Sequence, residues 1–299
     1  MPKMFRSLMF APGSRPELLA KAQTSHADAL IFDLEDSVAA NAKDAARRNV
    51  AQALEAGLQK PIYLRVNNPR AGDFDRDLDV LRQAPSLRNV MGILLPKADD
   101  AQDVLNACGP LSALETAAKL PAGTLGLVPL IETCMGLRNT FDICRAAPSV
   151  VGVCLASAEE GDFMADLGGR WTPGAAALLY ARSKTVVDAR AAGLQWIIDG
   201  AFMNLQDNDA LRAESQLARD LGFVAKTAIH PSQLDVLHQV FAPSEAEVEY
   251  ARGLLSAFRE GEARGVGAVK FRGMMVDRAN VRLAIRTLSL TGEAGGEHR

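Results

Sequence analysis

Glu132 and Asp162 are the two residues of this sequence whose surroundings most suggest chemistry. Glu132 follows the apolar run 127–131. Asp162 follows a second apolar run, 150–155, through an acidic loop that includes Glu159 and Glu160. A short amphipathic segment separates the two runs, so the pattern predicts a βαβ unit. A right-handed crossover sets the C-terminal ends of two parallel strands on one rim, which brings the two carboxylates together across a βαβ length of chain. Paired hard oxygen ligands suit Mg2+, which takes one or two carboxylates and leaves positions for substrate. The alternative is a solvated loop acid at Glu132 and a surface run of charge at Glu159, Glu160 and Asp162.

These acids need a frame. Eight short apolar runs, at 7–11, 29–32, 62–66, 92–95, 127–131, 151–155, 196–198 and 223–228, alternate with helical patterns such as 16–25, 42–56, 98–118, 175–192 and 209–221. Such alternation predicts an α/β protein, a (β/α)8 TIM barrel over residues 1–242. A doubly wound open sheet is the alternative, but it usually carries a G-x-G-x-x-G turn, and none occurs here. Two further helical patterns, 244–259 and 278–290, are joined by a Gly-rich connector at 261–273. They predict a C-terminal helical extension over 243–299, with residues 261–267 as its flexible part.

Each strand of this barrel would end in polar or ionisable residues. In order these are Pro12 to Arg15, then Asp33, Glu35 and Asp36, then Arg65 with Asn67, then Lys97, Glu132, Asp162, Asp199, and Lys226 with His230. Barrel enzymes build their active sites on this rim, so the set as a whole predicts one. Ser14 before Pro16 has the form of a helix N-cap, and Arg15 beside that helix start suits an anion such as phosphate. Three crowded carboxylates need a cation, and Arg65 on the neighbouring strand is the obvious one, in part structural and in part facing substrate. Lys97 and Lys226 could be solvated, hold phosphate, or form a Schiff base. His230, before Pro231, is expected to order a turn; His26, His238 and His298 have no partners at ligand spacing.

Composition narrows the class. Of 299 residues, 48% are hydrophobic and 23% charged, as in ordinary globular proteins. A net charge of −3 gives no footprint for nucleic acid. No apolar run approaches the roughly 18 residues of a membrane span, and the N-terminal apolar stretch is too short for a secretory signal. The four cysteines lack C-x-x-C spacing and read as reduced, packed thiols of a cytoplasmic protein. No G-x-S-x-G, P-loop or H-E-x-x-H motif is present.

The stretches APGSRPELLAKA, FDLEDSVAANAKDAAR, YLRVN, LPKADD, IET, GDFMADLGG, AKTAIHPSQL and MMVDRANVRLA run in this order from about residue 7 to 290. Together they resemble the citrate lyase β-subunit-like branch of the HpcH/HpaI aldolase superfamily. The resemblance implies a (β/α)8 barrel and a Mg2+-dependent carbon–carbon lyase for acyl thioesters of the malyl-CoA, citramalyl-CoA or citryl class, carried by CoA or an acyl-carrier protein. It implies that Glu132 and Asp162 hold the metal, with Glu132 also facing substrate. Arg65 would bind substrate carboxylate or thioester oxygen, Glu35 and Asp36 would support the ligands, and Arg15, Lys97 and Lys226 would engage substrate or CoA phosphates. It further implies that Asp277 enters the active site of a neighbouring subunit as acid/base, in a homotrimer or a dimer of trimers. Read locally, Asp277 is also a candidate helix cap. The family usually reads G-A-E-D before its D-L-G turn, whereas this chain has Glu159-Glu160-Gly161-Asp162, a departure that bears on substrate preference. A thioesterase using the same metal site, a metal-free Schiff-base aldolase and a non-catalytic ligand-binding subunit are the rival readings.

Overall fold

The computed structural model describes residues 4–291; His298 lies outside them. Two compact units divide at His238/Gln239, where the sequence pattern divides at 242/243. The first unit runs β1 (Ser7–Pro12), α1 (Pro16–Gln23), β2 (Ala29–Asp33), α2 (Lys43–Glu55), β3 (Ile62–Arg65), α3 (Phe74–Arg82), β4 (Val90–Leu95) and α4 (Ala101–Ala117). It continues with β5 (Gly126–Ile131), α5 (Cys134–Arg138), α6 (Thr140–Arg145), β6 (Gly152–Leu155), α7 (Asp162–Leu167), α8 (Leu179–Ala191), β7 (Trp196–Asp199), α9 (Asn208–Leu221) and β8 (Ala225–Ala228). Helix α10 (Leu234–Phe241) crosses the division. The eight strands pair in sequence order, all parallel, and Ser7 of β1 pairs with Lys226 of β8 to close the barrel.

Strands covered on both faces read as continuous apolar runs, and β2 and β5 are buried at every position. The strand ends therefore share one rim, as the alternation predicts. The expected cap at Ser14 is displaced by one residue: Arg15 occupies the N-cap of α1 with no side-chain cap bond, and Pro16 starts the helix. Helix α3 is absent from the sequence reading because its segment, FDRDLDVLR, is densely charged. It still buries Phe74, Leu78 and Leu81, and buries Asp77 as well. The Asp77 carboxylate accepts from Arg47 Nε at 2.7 Å and from the Asn67 amide at 2.7 Å, which makes its burial tolerable.

The second unit contains α11 (Glu245–Ala263), β9 (Val269–Phe271), β10 (Met274–Val276) and α12 (Arg278–Ser289) around a small core of Ala251, Leu254, Phe258, Val269, Val276 and Ala284. This corrects the Gly-rich connector expected at 261–273, with its flexible part at 261–267. Helix α11 extends through Gly261 to Ala263, and an antiparallel hairpin begins at Val269. Gly261 is required there, because a Cβ would lie 2.1 Å from Val269 Cγ1. Among the described residues no helix is long and apolar enough to cross a membrane.

Candidate active site

A cavity of about 410 Å3 opens among the C-terminal ends of the barrel strands, lined on one side by Asp33, Asp36, Arg65, Glu132, Glu160 and Asp162. Its geometry starts at the end of β2. Asp33, 1% exposed, accepts two bonds from the Arg65 fork, Nε to Oδ1 at 2.7 Å and Nη2 to Oδ2 at 2.6 Å. The Glu35 and Ser37 amides donate to the same carboxylate at 2.9 and 3.2 Å. Burial alone would raise the Asp33 pKa, but Arg65 outweighs it and holds it below the ordinary carboxylate value. Arg65 Nη1 lies 3.3 Å from Glu35, and its guanidinium carbon sits 4.9 Å from the Phe10 ring centroid.

Lys97 follows β4 in a left-handed backbone conformation, φ 51°, which is costly for a residue with a side chain. That turn presents its amide to Glu132 Oε2 at 2.9 Å. Its ammonium reaches Glu35 at 2.5 Å, Asp36 at 2.7 Å and Asp162 at 3.0 Å. Burial works to lower the Lys97 pKa, but the bonds to Asp36 and Glu35 outweigh it and hold it above its ordinary value. Burial raises Glu35; for Asp36 burial is outweighed by Lys97, and its pKa is lowered. Lys43, which the sequence reading passed over, ties this corner together by donating to the Leu34 and Glu35 carbonyls and to Asn67 Oδ1 at 2.7, 2.8 and 2.9 Å.

Glu132 is 4% exposed, and burial pushes its pKa up to about 7 despite Arg65 and Lys97 nearby. A carboxylate so placed lacks positive charge that a divalent cation would supply. Asp162, half-exposed at the start of α7, lines the same cavity. Among the described residues no three His, Cys, Asp or Glu side chains gather as a metal cage. A two-carboxylate site that leaves positions for substrate oxygens is nonetheless the form Mg2+ takes, so these residues fit that ion.

The structure thus brings together Glu35, Asp36, Arg65, Lys97, Glu132 and Asp162. It does not bring Lys226 to them. Lys226 is 0% exposed and turns to the helix layer, 2.5 Å from Asp199 and 2.8 Å from Glu214 of α9, where Arg182 of α8 completes a buried ion network. The substrate-binding role expected of Lys226 is corrected on this ground, and so is the placing of Asp199 on the working rim. A Schiff base needs a neutral amine; Lys226 is enclosed by acids and Lys97 is held charged, so neither lysine suits that chemistry. Removing one partner of a buried ion pair strands the other. Lys226→Met is therefore expected to lose about 3–5 kcal/mol of stability while keeping turnover per folded molecule, as urea unfolding and active-site-normalised rates would show. Normal stability with lost turnover would contradict this placement.

Arg15 is exposed, bonds Glu17 at 2.5 Å and does not line the cavity; the structure gives it no contact that supports substrate binding. His230 orders its turn as expected, its Nδ1 accepting from the Ser232 amide at 3.2 Å. Asp277 belongs to the second unit and caps α12, its carboxylate accepting from the Ala279 amide at 2.8 Å. Cys154, Met203, Thr227 and Ile229 also line the cavity. Sequence reasoning missed them because small apolar or singly polar residues near strand ends carry no chemical signal of their own.

Residues 6–231 match the model of the family described as HpcH/HpaI aldolase/citrate lyase. The chain is 34% identical to the citrate lyase subunit beta of Haemophilus influenzae, over 92% of each chain. It is 36% identical to a (3S)-malyl-CoA thioesterase of Cereibacter sphaeroides, over 95% of this chain and 94% of that one. Among solved structures, the CitE protein of Mycobacterium tuberculosis in complex with magnesium, acetoacetate and coenzyme A superposes with a TM-score of 0.76 at 29% identity, covering 98% of this chain and all of that one.

Proposed function

The chain belongs to the HpcH/HpaI aldolase/citrate lyase family, and from that premise we propose that it is a Mg2+-dependent carbon–carbon lyase acting on a 3-hydroxyacyl thioester. The observation that carries this reading is the meeting of the Arg65 fork with Glu132 and Asp162 in one rim cavity. In the cleavage direction, the bond between the thioester α-carbon and the hydroxyl-bearing carbon breaks. The hydroxyl loses its proton and becomes the carbonyl of a 2-oxo acid, while the electron pair passes to the thioester enolate. A proton delivered to the α-carbon then completes the acyl thioester, with no net oxidation.

Glu132 and Asp162 would hold the ion, which when bound supplies a Lewis acid for the oxygens of the 2-oxo acid. Arg65, fixed by Asp33, offsets the negative charge that develops on the thioester oxygen. Glu35 and Asp36 hold Lys97, whose backbone in turn orients Glu132. A coupled assay across malyl-, citramalyl- and citryl-thioesters, with and without Mg2+, tests the reading; no Mg2+-dependent cleavage of any of them would end it. The similarity to a malyl-CoA thioesterase favours hydrolysis as the second reading. The products separate the two, since hydrolysis releases free CoA and an intact hydroxy acid.

The carrier is CoA or an acyl-carrier protein, and the four free cysteines support a reducing compartment such as the cytoplasm. We further propose that Asp277 serves as acid/base in the site of a neighbouring copy, within a homotrimer or a dimer of trimers. Its exposure at the start of α12, just after the exposed Met274 and Met275, supports this. Asp277→Ala and Glu132→Ala are each expected to be inactive alone. Co-assembled, they should regain part of the activity, because some sites would pair an intact Glu132 with an intact neighbouring Asp277. No recovery in verified mixed oligomers would remove the cross-subunit role.

A further inference from the structure

Two planar peptide groups flank the left-handed residue Lys97, and the side chain of Asn68 holds both of them. The first group joins Pro96 to Lys97. Its N–H donates to Glu132 Oε2 at 2.9 Å, and its carbonyl accepts from Asn68 Nδ2 at 3.0 Å. A peptide group is planar and trans, so its N–H and C=O point in opposite directions and fixing one end aims the other. The second group joins Lys97 to Ala98. Its carbonyl accepts from the same Asn68 nitrogen at 3.2 Å, and its N–H donates to the Leu130 carbonyl of β5 at 3.2 Å. Holding both planes fixes the backbone between them at φ 51°, a conformation that a residue with a side chain keeps only when its surroundings impose it.

This arrangement uses the whole hydrogen-bonding capacity of the Asn68 amide. Its two N–H groups go to the two carbonyls, and its Oδ1 accepts from the Arg70 backbone amide at 3.0 Å and from Arg70 Nε at 3.3 Å. Asn68 is 7% exposed, follows Arg65 on the loop after β3 and does not line the cavity. Arg70 also reaches the Lys97 carbonyl, at 2.8 Å, but it bonds only the second plane, is half-exposed and is shared with Asp99 and Asp103. The Lys97 amide is the one hydrogen-bond donor to the Glu132 carboxylate among the described residues. We infer that Asn68 is a positioning residue for the proposed metal site, which sets the direction of Glu132 through the Pro96–Lys97 peptide without touching the ion or the cavity. By the same hold it places the backbone from which the Lys97 ammonium reaches Glu35, Asp36 and Asp162. The inference rests on the reading of Glu132 as a metal ligand.

The test uses the full chain carrying Asn68→Ala, which removes both bonds, or Asn68→Asp, which keeps the shape but sets an oxygen against the two carbonyls. Calorimetry with Mg2+ is expected to give a dissociation constant at least about tenfold weaker in Asn68→Ala, the scale of losing a group that orients a metal ligand. Asn68→Asp should be weaker still. For the thioester that the wild type cleaves, kcat at saturating Mg2+ should fall at least about tenfold in either variant. In chelator, amide hydrogen exchange is expected to speed up at Lys97 while β2 and β5 keep their wild-type protection. A merely structural role would instead speed exchange across the strands. Wild-type Mg2+ affinity in both variants, exchange that rises throughout the barrel, or an Asn68→Ala chain that no longer folds overturns the inference. If the wild type itself binds no Mg2+, the reading of Glu132 as a ligand fails, and exchange in the metal-free protein decides the rest. Unchanged exchange at Lys97 then overturns the hold of Asn68 on that peptide.

Discussion

Replacing Arg65 by Lys is expected to lower kcat/KM at least about 100-fold, the scale of losing one preorganised donor to a developing oxyanion. The charge is kept, but a lysine presents a point charge and not a planar fork, so it cannot grip Asp33 in two places and still face the cavity. The structure also attaches a stability cost that charge alone would not suggest. Asp33 is 1% exposed and would keep the Glu35 and Ser37 amides while losing one charge-assisted bond, a loss of about 1–3 kcal/mol. The informative measurement is turnover normalised to folded protein, taken alongside urea unfolding. Normal turnover per folded molecule with reduced stability would make Arg65 a structural cation only.

Glu132→Gln is expected to abolish the Mg2+-dependent gain in stability and the lyase activity, and yet to make the metal-free protein more stable at alkaline pH. The amide still accepts from the Lys97 backbone, so the local bond pattern survives. What disappears is a buried carboxyl whose pKa is pushed up to about 7. A carboxyl that is harder to ionise when folded leaves stability intact below its unfolded value near 4.5, erodes it as pH rises from there to about 7, and holds it at the full deficit above that. The deficit corresponds to about 3 kcal/mol at pH 8, and Mg2+ would offset it by binding the folded state. Urea unfolding in chelator at pH 5 and pH 8, for both proteins, reads the difference directly. A gap that does not widen with pH, or a Mg2+ shift that persists in the variant, would remove Glu132 from the metal site.

Much of this was open to a reader of the sequence. The eight apolar runs with helical patterns between them imply a parallel α/β sheet with its strand ends on one edge, whether closed as a barrel or open and doubly wound, and the pairing of β1 with β8 closes it. The shared edge alone puts Glu35, Asp36, Arg65, Lys97, Glu132 and Asp162 on one rim. The crowding of FDLED likewise implies that Arg65 on the next strand meets these acids, since adjacent parallel strands place their ends side by side, and the register sets Asp33 opposite Arg65.

Tertiary structure decided which rim ions work and which only hold the fold. Lys97 and Lys226 look alike in sequence, each an ammonium where a strand ends. Alternation along a strand separates the two faces, but a strand buried on both faces gives no polarity pattern to say which residue looks inward. Register places Thr227 on the cavity wall and sends Lys226 outward, to an aspartate one strand away and a glutamate on α9. Lys97 lies just past its strand, in a left-handed turn that no apolar pattern announces, and so faces the acids of the site. The hairpin at β9 and β10 was hidden for a related reason, because glycines that signal a loose connector in sequence here permit the close approach of Gly261 to Val269. Local residue type fixed which groups were available for chemistry; the direction each one points depended on packing between segments far apart in the chain, which no local pattern encodes.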